Sequence, residues 1–300
     1  MLSLLFTSLA PILLALVLGW GFGKFAATSL KQKLIGSITY LVWLLLVAIG
    51  FQFAEVLANP KIGVSVLWHA FLYASILSGI TFLCLYRNTA QQSTACLATR
   101  SLKDLLSPIK ECIIAMLMVV LGVVLYVLLN HKISTGHLSS NLLYVLIFLI
   151  GVDLSTVQLQ SLTKRHFSVP VVAVVAMLIS AGILSLLSHY SFLTLMMVGS
   201  GFGWFSLSGS LIATLTNPEL GSFALLTDLM REFYAIALLY LLGQRMPYPV
   251  IGVCGATSMD STLPFVKKNC SQLEVQVAIF SGFVLTLIAP FLIVLFASFQ

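Results

Sequence analysis

The sequence has very little charge. Only 8% of its 300 residues are Asp, Glu, Lys or Arg, whereas a soluble domain carries about 25%. Hydrophobic residues make up 60% of the chain, and a soluble fold of this size would have too few polar residues to cover its surface. The composition therefore excludes an ordinary cytosolic enzyme, a disordered chain and a nucleic-acid-binding protein. It predicts an all-α protein that crosses a lipid bilayer several times.

The sequence also lacks the motifs of metal and protease sites. Its five cysteines show no CxxC spacing, so neither a zinc site nor a disulfide framework is predicted. The histidines lie near the ends of apolar runs, and neither HExxH nor GxGD occurs. These absences argue against an intramembrane protease. We expect no enzymatic activity, no metal and no cofactor.

Long apolar runs occupy most of the chain, and a spanning helix needs about 20 apolar residues. Eight of the runs are continuous and predict transmembrane helices; they lie at roughly 3–23, 34–53, 64–86, 111–129, 141–159, 169–188, 222–243 and 273–298. Two further runs, 193–215 and 249–266, are short and are interrupted by Gly, Ser, Thr or Pro. They predict broken or re-entrant segments, because unwound backbone inside a membrane must line protein or water.

The basic residues predict the orientation, because they concentrate on the cytoplasmic side. If both broken segments re-enter, twelve of the fifteen Lys and Arg residues fall inside, Lys61 and Lys132 fall outside, and Arg231 lies within a span. If both segments cross, the ratio becomes eleven to three, because Arg245 changes side. Both arrangements place the N-terminus and the C-terminus outside, and the re-entrant arrangement fits slightly better.

The first part of the chain contains an internal repeat. The stretch "AIGFQFAEV" at 48–56 aligns with "LIGVDLSTV" at 149–157, which matches Gly50 to Gly151. Because the flanking runs keep the same order, residues 1–190 are predicted to hold two three-span repeats. Copies of a three-span unit must be inverted in the membrane, which is typical of secondary transporters.

A weaker repeat relates 199–243 to 252–297, each being a broken segment followed by a span. Residues 191–300 are therefore predicted to form a second part with two broken segments and two spans.

Three acidic residues lie within apolar runs: Asp228, Glu232 and Asp260. A charge at the centre of a bilayer costs about 2.5–3.5 kcal/mol on insertion scales, so it persists only when it is paired or faces a cavity. Asp228 and Glu232 are four residues apart and share one helix face. Arg231 cannot neutralise all three carboxylates, which leaves negative charge for a cation or for protons. The alternative is a buried Asp–Arg pair that only joins helices.

The broken segments "SGFGWFSLSG" at 200–209 and "GATSMDSTLP" at 255–264 are rich in Gly and hydroxyl groups. Exposed helix N-termini carry partial positive charge, so we expect helix ends and hydroxyls to bind a carboxylate and the acidic groups to bind ammonium groups. Trp204 offers a cation–π contact. The candidate site residues are Glu232, Asp260, Asp228, Arg231, Trp204, Ser206, Ser208, Thr257, Ser258, Ser261 and Thr262. The alternative is that Gly and Ser only allow close helix packing.

These two segments and "DLMRE" at 228–232 closely resemble the signature segments of the lysine exporter family LysO. The resemblance implies a multi-pass protein of the bacterial inner membrane that exports L-lysine, and analogues such as thialysine, from the cytoplasm. It implies an outward N-terminus and two functionally important intramembrane acids, which map onto Glu232 and Asp260. The chain departs from the family at Asp153, where a neutral amide is expected, as at Gln52.

Lysine carries a net charge of +1, and its export opposes an inside-negative potential at about 2.3 kcal/mol per charge per 100 mV. We therefore expect proton antiport, with Glu232 or Asp260 protonated as lysine leaves; sodium stays open as the coupling ion, and so does a homo-oligomer. The alternative class is a sodium- or proton-coupled carrier of organic anions. The three intramembrane acids disfavour that alternative.

Overall fold

The protein is a bundle of helices in the computed structural model, which describes residues 2–57, 60–86, 102–129, 136–155 and 164–300. These ranges contain no strand. Within these ranges, eight helices have 19 residues or more: α1 (Leu2–Phe25), α2 (Thr28–Leu57), α3 (Pro60–Tyr86), α4 (Leu102–Leu128), α5 (Gly136–Leu154), α6 (Lys164–Leu187), α9 (Pro218–Leu242) and α12 (Gln272–Ala297). Four short helices interrupt the second part: α7 (Phe192–Gly199), α8 (Phe205–Leu215), α10 (Pro247–Cys254) and α11 (Leu263–Asn269).

Among the described residues, four helices contain apolar stretches that are long enough to cross a membrane by length and composition: Thr28–Ala48, Ile62–Tyr86, His166–Leu187 and Gln272–Ala297. Shorter apolar stretches lie at Leu14–Phe25, Leu117–Leu128, Asn141–Asp153 and Phe205–Leu215. The prediction of an all-helical membrane protein is thereby confirmed. The number of crossings and their orientation stay predictions, and the basic residues Arg87, Arg100 and Lys132 lie outside the described residues.

The first helices pack in pairs through glycines, α1 on α5 and α2 on α4. A Cβ at Gly19 would overlap the α5 backbone, and one at Gly151 would overlap the α1 backbone. Gly50 and Gly122 have the same relation in the other pair, where each faces the partner's backbone. Without water to drive association, close backbone approach at small residues is how membrane helices gain packing energy.

The first broken segment turns back on itself. Ser191 caps the N-terminus of α7, and the chain turns at 200–204 before α8 begins. α8 then packs antiparallel on α9, where Gly221 meets Ala213. The rings of Tyr190 and Phe223 stack with their centroids 4.8 Å apart, so the start of the segment lies beside the start of α9. We call residues 191–217 hairpin 1.

The second broken segment also turns back on itself, at the other end of α9. α9 has 25 residues, so it separates its two ends by roughly 37 Å at 1.5 Å per residue. A 3-10 turn, Gly255–Met259, follows α10. The Cys270 thiol, beyond α11, donates to the carbonyl of Gly243 at 3.6 Å, so the segment ends where it began. We call residues 244–271 hairpin 2.

The tips of the two hairpins meet beside the middle of α9. The N–H of Ala256 in hairpin 2 donates to the carbonyl of Phe202 in hairpin 1 at 2.9 Å. A side chain at Gly255 would overlap that carbonyl, and Gly255 has a positive φ of 63°. The approach therefore needs glycine, which has no Cβ and adopts positive φ freely.

Candidate functional site

A cavity of about 470 Å³ lies against the hairpin tips, between α2, α4, α5 and α9. This volume is in the range of small-molecule sites. Its polar lining is Thr39, Gly203, Trp204, Ser206, Glu232, Thr257, Asp260 and Ser261. Its apolar lining is Ile38, Val42, Trp43, Leu46, Ile114, Leu146, Ile150, Phe205, Leu229, Ile236 and Phe265.

Two of the three predicted intramembrane acids, Glu232 and Asp260, line this cavity. Glu232 lies on α9 and is 5% exposed. Its Oε1 accepts a hydrogen bond from the Ser261 hydroxyl at 2.5 Å. Asp260 follows the 3-10 turn of hairpin 2, is exposed, and donates its N–H to the Thr257 carbonyl at 2.9 Å. Two carboxylates from different elements therefore line one cavity.

Asp228 is fully buried and does not line the cavity. Its Oδ1 accepts the N–H of Gly203 at 2.8 Å, and its Oδ2 accepts the Ser208 hydroxyl at 2.6 Å. Gly203 lies two residues before α8 and Ser208 lies in its first turn, so the carboxylate is near the helix end that carries partial positive charge. The carboxylate therefore compensates this helix end and fixes the tip of hairpin 1.

Arg231 is 1% exposed and has the complementary role. Its Nε donates to the carbonyl of Val253 at 3.0 Å, and its Nη2 donates to the carbonyl of Gly252 at 3.2 Å. Both carbonyls belong to the last turn of α10, which carries partial negative charge and has no intrahelical donors. Arg231 therefore compensates this helix end and fixes the tip of hairpin 2.

Comparison with known proteins gives the family. The family model described as "Lysine exporter LysO" matches residues 116–297. The protein named "Lysine exporter LysO" of Escherichia coli (strain K12) is 31% identical over 312 aligned positions, which cover 98% of this chain and 100% of that protein. This chain belongs to the lysine exporter LysO family. It is a transporter and not an enzyme, and the resemblance noted in the sequence is confirmed.

A second relative is the Haemophilus influenzae protein named "Putative lysine exporter". It is 32% identical over 187 positions, which cover 60% of this chain and 95% of that protein. No solved structure matches the chain.

In this LysO-family chain, six of the eleven candidate residues line the cavity: Glu232, Asp260, Trp204, Ser206, Thr257 and Ser261. The other five hold the hairpins. Asp228, Arg231 and Ser208 do so as described above. The Ser258 hydroxyl donates to the carbonyls of Gly255 and Ala278 at 2.7 and 2.8 Å, which ties hairpin 2 to α12. Thr262 is buried with its hydroxyl 3.3 Å from that of Thr257.

The sequence argument missed several residues of the LysO-family cavity. Thr39 and Trp43 lie one turn apart on α2 and line the cavity, as does Ile150 on α5. Trp43 and Ile150 lie within apolar stretches of their helices, so no polar side chain beside them marked the inward face. The sequence also did not single out Gly201, where a Cβ would overlap the Asp228 carboxylate.

Proposed function

We propose that the chain exports L-lysine, and cationic analogues such as thialysine, across the bacterial inner membrane as a secondary transporter. The observation that carries the proposal is the pair of carboxylates, Glu232 and Asp260, in one cavity beside two interrupted helices. Lysine has two ammonium groups and one carboxylate. Glu232 is 5% exposed, and attraction between opposite charges is stronger at a buried carboxylate than in water, so the site suits a cationic amino acid.

We also propose the orientation in which both hairpins re-enter the membrane. Each hairpin begins and ends at the same end of α9, which supports the arrangement with twelve basic residues inside. Hairpin 1 then opens to the outside, and hairpin 2 opens to the cytoplasm. Of the α9 residues that line the cavity, Leu229 lies on the hairpin 1 side of Arg231, and Glu232 and Ile236 lie on the hairpin 2 side. In this proposal lysine enters the cavity from the cytoplasm.

Coupling follows from competition for the same carboxylates. A proton and an ammonium group cannot both occupy Glu232 or Asp260, so proton uptake from outside displaces lysine outward. Release of that proton to the cytoplasm restores the site for the next lysine. The inward proton supplies the energy that lysine export needs against the membrane potential.

The packing of the first six helices supports the proposed inverted repeat. In the repeat, α1 corresponds to α4 and α2 corresponds to α5. The packing of α1 on α5 therefore corresponds to the packing of α4 on α2. Gly50 and Gly151, which align in the sequence, then occupy equivalent close contacts. In the second part, hairpin 1 with α9 corresponds to hairpin 2 with α12. Inverted repeats give a transporter two related arrangements around one site.

Flux in proteoliposomes tests this function. We expect an inward proton gradient to drive efflux of labelled lysine through the wild-type protein. Glu232→Gln and Asp260→Asn should abolish the flux while the proteins still insert and fold. Glu219→Gln is the matched control, because Glu219 lies in the first turn of the same helix and does not line the cavity. A lysine flux that does not change with the proton gradient would reject proton coupling. Full flux in Glu232→Gln would reject the role of Glu232 in transport.

A carrier of organic anions is the second candidate, because the N-terminal end of α8 lines the same cavity. Competition binding among lysine, arginine, ornithine and citrate separates the two candidates. We expect arginine, ornithine and unlabelled lysine to displace labelled lysine from the protein, and we expect citrate to have no effect on its binding.

A further inference from the structure

Ser206 is a buried residue whose two hydrogen-bond donors, the hydroxyl and the backbone N–H, are unused, whereas its carbonyl accepts the Ser210 hydroxyl. It occupies the second position of α8, is 3% exposed and lines the cavity. Within the described residues, neither its hydroxyl nor its N–H has a hydrogen-bond partner. Buried polar groups are almost always hydrogen-bonded in native proteins. Because Ser206 lines the cavity, its two donors are available there to water or to a ligand.

The neighbouring N–H groups at this helix end are occupied. Phe205 donates to the carbonyl of Gly203 at 3.0 Å, and Leu207 and Ser208 donate to that of Trp204 at 3.1 and 3.0 Å. The N–H of Gly203 is taken by Asp228. Ser206 thus carries the open donors of the first turn, at the end of the helix where partial positive charge favours an anion.

The same cavity holds Glu232 and Asp260. A ligand that satisfies both walls must have an anionic group for Ser206 and a cationic group for the carboxylates. We propose that the Ser206 N–H and hydroxyl bind the α-carboxylate of the transported amino acid, while Glu232 and Asp260 bind its ammonium groups. This inference rests on the proposed function and makes Ser206 a specificity-determining residue, which rejects diamines that lack a carboxylate.

Binding to the purified full-length protein tests the inference. The ligands are lysine, lysinamide and 1,5-diaminopentane, which is lysine without its carboxylate. We expect the wild-type protein to bind lysine at least about tenfold more tightly than the other two, since hydrogen bonds to a charged group contribute on that scale. Ser206→Ala should weaken lysine binding severalfold and leave diamine binding unchanged, and Ser206→Thr should restore lysine binding.

Ser206→Asp sharpens the test. Its carboxylate would repel that of lysine and attract a diamine, so the preference should reverse. An acidic residue in the first turn also favours the helix, so this variant is expected to fold. Ser210→Ala is the matched control, since the Ser210 hydroxyl bonds within α8 to the Ser206 carbonyl at 2.9 Å and does not line the cavity.

The outcomes separate the subsite from the proposed function. A wild-type protein that binds no lysine would overturn both. If the wild-type protein binds lysine and 1,5-diaminopentane with equal affinity, only the proposed carboxylate subsite at Ser206 is overturned. Unchanged preference in both Ser206→Ala and Ser206→Asp would also overturn the subsite and leave lysine transport standing.

Discussion

Asp228 and Arg231 lie three residues apart on α9 and hold the tips of two opposed hairpins. Asp228 accepts the Gly203 N–H from the positive end of α8, and Arg231 donates to the Val253 carbonyl at the negative end of α10. No hydrogen bond or ion pair joins the two charges directly in the described part of the chain. Each buried charge is thus stabilised by a helix terminus, which explains how both persist at this depth.

Replacing Arg231 by Met should loosen hairpin 2. The change keeps most of the side-chain volume and removes the donors to Val253 and Gly252. Hydrogen bonds from charged groups are worth about 1.5–3 kcal/mol each, so we expect the free energy of unfolding to fall by about 3 kcal/mol or more. Denaturation of the purified protein measures it. Arg245→Met, at an exposed position, is the control, and equal stability of both variants would contradict the role of Arg231.

Replacing Gly201 by Ala should displace the Asp228 carboxylate, because the new methyl group would overlap it. We expect a loss of about 1–3 kcal/mol, as for other overpacked cores, together with loss of lysine flux. Gly79→Ala is the control, since Gly79 lies within α3 with nothing within 4 Å of a Cβ. There Ala should be neutral or stabilising by up to about 1 kcal/mol. If Gly201→Ala changed the free energy of unfolding no more than Gly79→Ala does, the close contact between Gly201 and Asp228 would be refuted.

Replacing Gly50 or Gly151 by Leu tests the proposed repeat. Both side chains would enter the backbone of a partner helix, α4 for Gly50 and α1 for Gly151. If the two positions are equivalent, we expect similar and large losses in thermal stability. Gly36→Leu should be tolerated, because nothing lies within 4 Å of its Cβ. Sensitivity at one position and tolerance at the other would argue against equivalence.

The sequence predicted the features with a local signal. Gly, Ser and Pro density marked both interruptions, and acids in apolar runs marked Glu232 and Asp260. Whether the broken segments cross or turn back could not be predicted. That distinction depends on contacts between distant residues, such as Tyr190 with Phe223 and Cys270 with Gly243.

The sequence could not separate Asp228 from Glu232 either. They are four residues apart on one face of α9, and both looked like site residues. Hairpin 1 covers that face at Asp228, whereas one turn further on the face opens to the cavity at Glu232. The contribution of α2 was not predicted for a different reason: Trp43 is an apolar residue within the apolar stretch 41–48.

The single helix that carries both Asp228 and Arg231 links the two halves mechanically. An α-helix transmits a displacement along its length with little compression, because its backbone is hydrogen-bonded throughout. A shift of α9 that frees one tip therefore also strains the attachment of the other. The two hairpin tips are therefore expected to move together with α9 and not independently of each other.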